Sequence, residues 1–319
     1  MTTVMATRKV NVSCVVRFSF LLLGAFLLVK WLQTKSLYSK QLEEMNSKEQ
    51  VAHSVKASNQ IESVAKSSSL PCTLGHDGRH DGVILLTTTN AGFQDMTTNM
   101  LESIRRVRIC PNITIIAEDE QSYKYLTDKV ASPGVHIQKT DSGVMTSDRL
   151  RVYGRVYIQF VKKRARYILN FLNKGYDVLF TDVDTFWFQD PFPDFRGNFD
   201  IAMRQEAPPS SLTPVFCNGF GYYRATENTL AVVREWVRLM STTHKKTMDK
   251  DVLNLVIKNR KPAVRMKSLD SVKYPDGRVF RDKGWVKKRA NTTVVLHLSS
   301  VFGHNSKLKK LKDNGLWLI

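Results

Sequence analysis

From residue 81 onward, short apolar runs alternate with longer amphipathic segments, and this alternation leaves few folds open to the chain. The runs are apolar throughout, which is typical of strands buried on both faces of a parallel sheet. The amphipathic segments repeat apolar residues at helical spacing, as Met96, Met100 and Ile104 do. The pattern therefore predicts an α/β fold with a mostly parallel, Rossmann-like sheet flanked by helices. We predict strands at residues 81–90, 112–120, 135–140, 177–188, 200–205, 215–225, 263–269 and 293–300, and helices at residues 93–107, 121–129, 148–173, 226–240 and 249–259.

The N-terminal eighty residues follow a different pattern. Residues 10–29 form an apolar stretch with Asn11, Ser13 and Arg17 as polar breaks, and a helix of that length spans a hydrocarbon core of ~30 Å. No small-x-small cleavage site follows, so we predict an uncleaved signal-anchor; a cleaved signal peptide is the alternative. The positive-inside rule places Arg8 and Lys9 in the cytosol.

These features predict a single-pass type II membrane protein. We assign a cytosolic tail to residues 1–9, a transmembrane signal-anchor to 10–32, a stem to 33–80 and a lumenal domain to 81–319. A short tail, an anchor and a stem favour the Golgi membrane over the endoplasmic reticulum. In a lumenal domain, two of Cys72, Cys110 and Cys217 can form a disulfide bond, and Cys72–Cys110 is our choice. The sequons at Asn112 and Asn291 can carry glycans, and their occupancy is left open.

The charge of the chain is strongly positive. Lys and Arg number 48 against 29 Asp and Glu, a formal net charge of +19, which favours anionic partners. Hydrophobic residues make up 42% and charged residues 24%, which excludes a disordered or multi-pass membrane protein. We expect no nucleic-acid partner, because no motif for one occurs and the signal-anchor argues against it. No GxGxxG or GxxxxGK[ST] motif occurs either, so neither a nicotinamide site nor a P-loop is supported.

Two aspartates stand near the end of the most apolar predicted strand. Asp182 and Asp184 are two residues apart, so their side chains leave the same face if the backbone stays extended. Such carboxylates repel each other unless a cation lies between them, and hard divalent ions such as Mn²⁺ or Mg²⁺ prefer oxygen ligands. Residues 182–184 alone are also compatible with a solvated strand end. The choice between a metal site and a solvated strand end therefore depends on the surrounding sequence.

That surrounding sequence resembles the nucleotide-diphospho-sugar transferase family, family 77 of the glycosyltransferases, which has the GT-A fold. The longest matching block, GYDVLFTDVDTFWFQDPF, covers residues 175–192. The other blocks, in order, are a long helix with Arg164 eleven residues before Gly175, CNGFGYYRAT at 217–226, Asp249-Lys250-Asp251, and His297 with Gly303 and Lys307. Lys250 departs from the glutamine usual in the family, which leaves open how the donor-sugar hydroxyls are recognised.

The resemblance implies a site and a reaction. It implies Mn²⁺ or Mg²⁺ bound by Asp182, Asp184 and His297, a donor site made of Thr88, Thr89, Arg164, Asp182, Asn218, Gly219, Gly303 and Lys307, and catalytic roles for Asp182, Lys307, Asp249 and Asp251. The reaction would be a metal-dependent, retaining transfer of a pentose or galactose from a UDP-sugar to a hydroxyl of a glycan or glycoprotein. An acidic acceptor is a further hypothesis. The alternative function is a non-catalytic type II membrane lectin or scaffold with a degenerate transferase fold.

Overall fold

The computed structural model describes residues 82–319, apart from residues 142, 144, 207–213, 243–246 and 261–262. The cytosolic tail, signal-anchor and stem predicted above, together with Cys72, lie outside the described residues. Among the helices that are described, none has the length and apolarity needed to span a bilayer.

The described residues form a seven-stranded mixed sheet with the strand order β3-β2-β1-β4-β7-β6-β8. β1 pairs in parallel with β2 and β4, β2 with β3, and β6 with β8, whereas β7 runs antiparallel to both of its neighbours. A separate antiparallel pair joins β5 to β9. The strands are β1 (Val83–Thr89), β2 (Asn112–Ala117), β3 (Val135–Lys139), β4 (Asp177–Thr181), β5 (Thr185–Trp187), β6 (Ile201–Gln205), β7 (Phe216–Tyr223), β8 (Met266–Leu269) and β9 (Val295–His297).

Helices cover both faces of this sheet, which confirms the predicted α/β architecture with a mostly parallel sheet. They are α1 (Gln94–Val107), α2 (Glu120–Lys129), α3 (Arg155–Lys162), α4 (Arg164–Leu172), α5 (Glu227–Thr242), α6 (Asp249–Arg260), α7 (Lys283–Thr292) and α8 (His304–Asp313). Short 3-10 helices follow β1, β5 and β8, at Ala91–Phe93, Phe192–Phe195 and Gly277–Arg281.

Two predicted elements are divided in the structure. The helix predicted at residues 148–173 is irregular up to Gly154 and then forms α3 and α4, because the backbone tightens at Lys163, whose amide donates to the carbonyl of Phe160 at 3.2 Å. The strand predicted at residues 177–188 is interrupted at Asp182. There the hydroxyl of Thr185 donates to the carbonyl of Asp182 at 3.0 Å, which turns the chain out of the main sheet. β5 consequently pairs with β9.

The hydrophobic core fills both faces of the sheet. On one face Phe180, Ile168 and Trp236 are fully buried, and on the other Leu179 and Met100 are. A third apolar cluster, which includes Phe186, Leu296 and Leu311, packs α8 against the β5–β9 pair. This cluster fixes the position of the last helix relative to the turn that follows β4.

Buried polar contacts also hold the C-terminal segment. The side-chain amide of Asn99 donates to the carbonyl of Leu316 at 3.1 Å and accepts from the amide of Leu318 at 2.7 Å. Asn99 is 1% exposed, so burial favours both bonds, since an unpaired amide there would be costly.

Candidate active site

A turn after β4 positions the two aspartates. The amide of Asp182 donates to the carbonyl of Gly219 in β7 at 2.7 Å, and the chain then turns into β5. The backbone between Asp182 and Asp184 is therefore a turn and not the extended strand on which the predicted common face of the two side chains depended. Because β5 pairs with β9, Thr185 lies opposite His297, and this pairing brings the histidine to the aspartates.

Asp182, Asp184 and His297 form a compact group. Each offers a ligand atom, and these atoms all lie within 4.8 Å of one another. His297 Nε2 is 3.3 Å from Asp184 Oδ1 and 3.5 Å from Asp182 Oδ2. Within the described part of the chain, this is the one group of three such side chains that could hold a metal ion. The three predicted metal ligands are thus brought together.

Two observations test whether a divalent cation fits this group. The ammonium group of Lys307 contacts Asp184 and donates to the carbonyl of Leu298 at 2.8 Å, so positive charge is accommodated beside Asp184. A Cβ atom added at Gly219 would lie 2.2 Å from His297 Cε1 and 2.4 Å from Asp182 Oδ2, so glycine keeps this space open. Two carboxylates and an imidazole are suitable ligands for a divalent ion, so the residues fit a metal.

Neighbouring charges shift the pKa values of Asp184 and His297 in the directions that favour their charged forms. Burial would raise the pKa of Asp184, but the positive charge of Lys307 and contact with His297 hold that pKa well below its usual range. Burial would lower the pKa of His297, but the negative charge of Asp184 raises it well above the usual value. The charge of Asp184 therefore favours the protonated imidazole, and a metal ion that binds Nε2 would have to displace its proton.

A free thiol contacts the other nitrogen of this histidine. Cys217 Sγ lies 3.5 Å from His297 Nδ1, so Nε2 alone faces the aspartates. Metal-binding histidines commonly use their second nitrogen in this way, which fixes the orientation of the ring. Cys217 is not among the residues predicted for the site, although it lies in the same matching block as Asn218 and Gly219.

The buried guanidinium group of Arg164 joins Asp182, one of the predicted metal ligands, to Asp249. Nη2 donates to Asp182 at 2.6 Å and Nη1 donates to Asp249 at 2.8 Å, with the group lying 4.6 Å from the centre of the Phe180 ring. Asn218 also donates to Asp249, at 2.7 Å. Burial raises the pKa of Asp249, and the charge of Arg164 opposes that shift. This geometry lets Arg164 orient the carboxylate of Asp182.

Replacing Arg164 with methionine should lower the free energy of unfolding by about 3–5 kcal/mol, because Asp182 and Asp249 would lose their shared cation in a buried setting. Arg166 is exposed on the same helix, so Arg166→Met is the matched control and should change stability by less than about 0.5 kcal/mol. Urea denaturation followed by tryptophan fluorescence measures both. Equal stability of the two variants would show that the buried pair contributes nothing.

The structure does not bring every other predicted residue to the group of Asp182, Asp184 and His297. Asp251 is exposed on α6 and lies about 200° around the helix axis from Asp249, so the structure does not bring it to the group. Lys250 donates to Glu206 at 2.8 Å. Thr88 and Thr89 are buried at the end of β1, and the hydroxyl of Thr89 accepts from Thr97 at 2.8 Å.

Gly303 has φ +80° and directly precedes α8. This conformation, which favours glycine, lets the chain enter the helix that carries Lys307. His304, the first residue of α8, is bound by Asp95 through Nε2 at 2.8 Å, a contact that the sequence did not indicate. The N-terminus of α8, where backbone amides favour anions, therefore lies beside the lysine predicted to contact a diphosphate.

The structure describes part of what was predicted for the cysteines and sequons of residues 81–319. Cys110 is disulfide-bonded and Cys217 is free, but the partner of Cys110 lies outside the described residues, so the pairing with Cys72 stays a prediction. Asn112 begins β2, and Asn291 is exposed near the end of α7. Glycan occupancy at both sequons also stays a prediction.

A mostly parallel sheet that ends in paired aspartates, a histidine and a lysine defines a class, the α/β glycosyltransferases with a DxD motif. The family model for nucleotide-diphospho-sugar transferases matches residues 108–311. The chain belongs to this family, and its fold is of the predicted GT-A type.

Named relatives and solved structures are similar to this chain. A UDP-D-xylose:L-fucose alpha-1,3-D-xylosyltransferase of Arabidopsis thaliana is 24% identical over 75% of this chain and 70% of its own length. A UDP-galactose:fucoside alpha-3-galactosyltransferase of Dictyostelium discoideum is 21% identical over 75% of this chain and 43% of its own. Among solved structures, the apo-form glycosyltransferase GlyE of Streptococcus pneumoniae has a TM-score of 0.49 and 13% identity, covering 72% of this chain and 59% of that chain.

Proposed function

We propose that this protein transfers a sugar from a UDP-sugar to a hydroxyl group of a glycan or glycoprotein, with retention of configuration and with Mn²⁺ or Mg²⁺ as cofactor. The observation that carries the proposal is the group of Asp182, Asp184 and His297 with Lys307 against it. Four intact residues of this kind also disfavour a non-catalytic lectin or scaffold, which would need none of them.

The donor sugar is a pentose or galactose. The Arabidopsis and Dictyostelium relatives are named for UDP-xylose and UDP-galactose donors and for fucose or fucoside acceptors, which supports this choice. The net charge of +19 supports an acceptor that carries uronate or sulfate groups.

In this reaction the residues of the site would bind the metal ion, the diphosphate and the donor sugar. Asp182, Asp184 and His297 would hold the metal ion, which when bound supplies positive charge to the departing diphosphate. Lys307 provides a second positive charge, and the amides at the start of α8 add donors for the phosphate oxygens. Asn218 and Asp249, held by Arg164, are placed to bind hydroxyl groups of the donor sugar.

Retention follows from attack on the face that the diphosphate leaves. The bond between the anomeric carbon and the diphosphate oxygen breaks, and the acceptor oxygen forms a bond to the same carbon. The acceptor proton passes to the departing diphosphate oxygen, so no carboxylate nucleophile is required. Lys307 favours this step because it stabilises the charge that develops on the leaving group.

The cellular setting proposed is the Golgi membrane, with the domain of residues 81–319 in the lumen. The support is the apolar run at residues 10–29, which lies outside the described residues, together with the basic Arg8 and Lys9 before it. Release of the full chain from membranes by alkaline carbonate would contradict this anchor.

The function is tested with the full chain and a panel of UDP-sugars in the presence of Mn²⁺. We expect UDP release from UDP-xylose or UDP-galactose, loss of that release with EDTA, and recovery when Mn²⁺ is added back. Free UDP is measured by a coupled assay, with GDP-sugars as the control donors. Turnover that persists in EDTA, or that prefers GDP-sugars, would overturn the proposal.

A further inference from the structure

Two loops meet through a pair of exposed aromatic rings. The Tyr153 and Phe302 rings have centroids 6.3 Å apart with an interplanar angle of 40°. Their exposed fractions are 65% and 59%, unusually high for large side chains. A second contact joins Arg149, in the loop that carries Tyr153, to the first turn of α8, where Arg149 Nη1 donates to Asn305 Oδ1 at 2.9 Å.

The backbone at Tyr153 is strained. Its φ of +63° lies in the left-handed region, which disfavours bulky side chains and which only Arg108 shares among the described residues other than glycine. Strain of this kind clusters at functional sites. Since the ring is mostly exposed, core packing does not account for the conformation.

The loop that carries Tyr153 is nevertheless held in place. The Asn90 side chain, just after β1, donates to the carbonyls of Thr146 and Asp148 at 2.7 Å each. A Cβ atom at Gly92 would lie 2.6 Å from the backbone of Asp148, so the loop packs closely on the segment after β1. The ring is thus presented by a fixed backbone.

Both rings lie next to elements that enter the candidate active site. Phe302 directly precedes Gly303 and α8, from which Lys307 contacts Asp184. Tyr153 precedes α3, which leads directly into α4 with Arg164 bound to Asp182. Phe302 thus lies five residues before Lys307, and Tyr153 lies just before the two consecutive helices that lead to Arg164.

We propose that Tyr153 and Phe302 form a carbohydrate subsite, on which the apolar face of an acceptor sugar ring packs. The proposal rests on the function proposed above and extends it to the acceptor. Sugar rings carry C–H groups on one face and hydroxyl groups at the edge, and aromatic rings with a polar surround suit both. Arg149, Arg151 and Arg155 are exposed around Tyr153 and supply hydrogen-bond donors for the ring edge.

A fixed acceptor sugar would assist the reaction by orientation. The nucleophilic hydroxyl has to approach the anomeric carbon of a donor whose diphosphate binds near Lys307, and holding the acceptor ring lowers the entropy cost of that approach. An apolar protein partner is disfavoured, because two rings surrounded by arginines provide little continuous apolar area.

The test uses the full chain with Tyr153→Ala, Phe302→Ala and Phe302→Trp. Each alanine variant should raise the acceptor KM about tenfold, the effect of losing roughly 1.4 kcal/mol of stacking energy. The Phe302→Trp variant keeps an aromatic ring, so its acceptor KM should equal that of the wild type. The donor KM, and UDP release without acceptor, should stay unchanged in every variant. Tyr176→Ala is the matched control, since Tyr176 is 39% exposed and lies just before β4, at the opposite end of that strand from Asp182.

A binding measurement separates this subsite from the reaction itself. Saturation-transfer NMR with methyl fucoside, galactoside, xyloside and glucuronide should show contact with the wild type and the Tyr176→Ala variant, and weaker contact with both alanine variants. Wild-type signals in both alanine variants, or no signal from any glycoside with the wild type, would overturn the subsite. Failure of the wild type to release UDP from any UDP-sugar would instead refute the proposed function, whatever the glycosides show.

Discussion

Replacing Asp184 with asparagine should abolish metal-dependent sugar transfer, lowering kcat/KM by a factor on the order of 10³, or about 4 kcal/mol in the barrier. Asp184 contacts both His297 and Lys307, so its charge holds the other ligand and the lysine together. Asparagine keeps the shape and one oxygen but loses the negative charge that a divalent ion requires. Initial rates of UDP release and Mn²⁺ affinity from the electron paramagnetic resonance of free Mn²⁺ measure the two effects.

Two further variants separate charge from folding. Asp190→Asn is the matched control, because Asp190 lies in the same segment but, among the residues that the structure describes, accepts only a backbone hydrogen bond from Phe192, at 3.0 Å, which asparagine can also accept. The double variant with Lys307→Met removes the ammonium group that would otherwise be buried without its anion. Full metal-dependent turnover in a folded Asp184→Asn variant would refute the assignment of this carboxylate.

Replacing Gly219 with alanine should remove metal binding with the addition of a single methyl group. The new Cβ would lie 2.2 Å from His297 Cε1 and 2.4 Å from Asp182 Oδ2, distances at which two proposed ligands have to move. We expect Mn²⁺ affinity to fall by a factor of about 10² or more, as when metal ligands lose their orientation. Stability should fall by about 1–3 kcal/mol from overpacking. Mn²⁺ titration and urea denaturation test the two expectations.

Gly221 gives the matched control on the same strand and the same face. A Cβ there would meet Met203 Cγ at 3.1 Å, and methionine is flexible enough to move away. Gly221→Ala should therefore keep Mn²⁺ affinity close to that of the wild type. If Gly219→Ala also bound Mn²⁺ normally, the space between Asp182 and His297 would not be the metal site.

Much of the sheet could be predicted from the sequence, because β1, β2 and β4 are buried almost throughout and so form continuous apolar runs. The antiparallel direction of β7 could not be predicted, since the same apolar pattern fits either direction. Helices α7 and α8 were missed. They are rich in lysine, and Trp285 is the only residue of α7 that is buried, so their sequences carry little amphipathic signal.

Some residues of the candidate site could likewise be predicted from the sequence, whereas several contacts between them could not. Asp182 and Asp184 are recognisable by their spacing after an apolar strand, and His297 and Lys307 by their order in the family's motifs. The ion pair of Arg164 with Asp249 joins residues 85 positions apart in the chain, and the contact of Cys217 with His297 spans 80. Contacts of this kind depend on how β7, β9 and α6 pack, which local sequence does not encode.

The contact of Lys307 with Asp184 has a consequence for the order of binding. The lysine acts as a tethered counter-ion, so the metal-free site is already neutralised and an incoming ion has to compete with it. A diphosphate that draws the ammonium group towards itself would end this competition, and nucleotide would then tighten the hold on the ion. By thermodynamic reciprocity the ion would tighten the hold on the nucleotide by the same factor. Ion and donor would thus load as a pair, and neither would be retained strongly without the other.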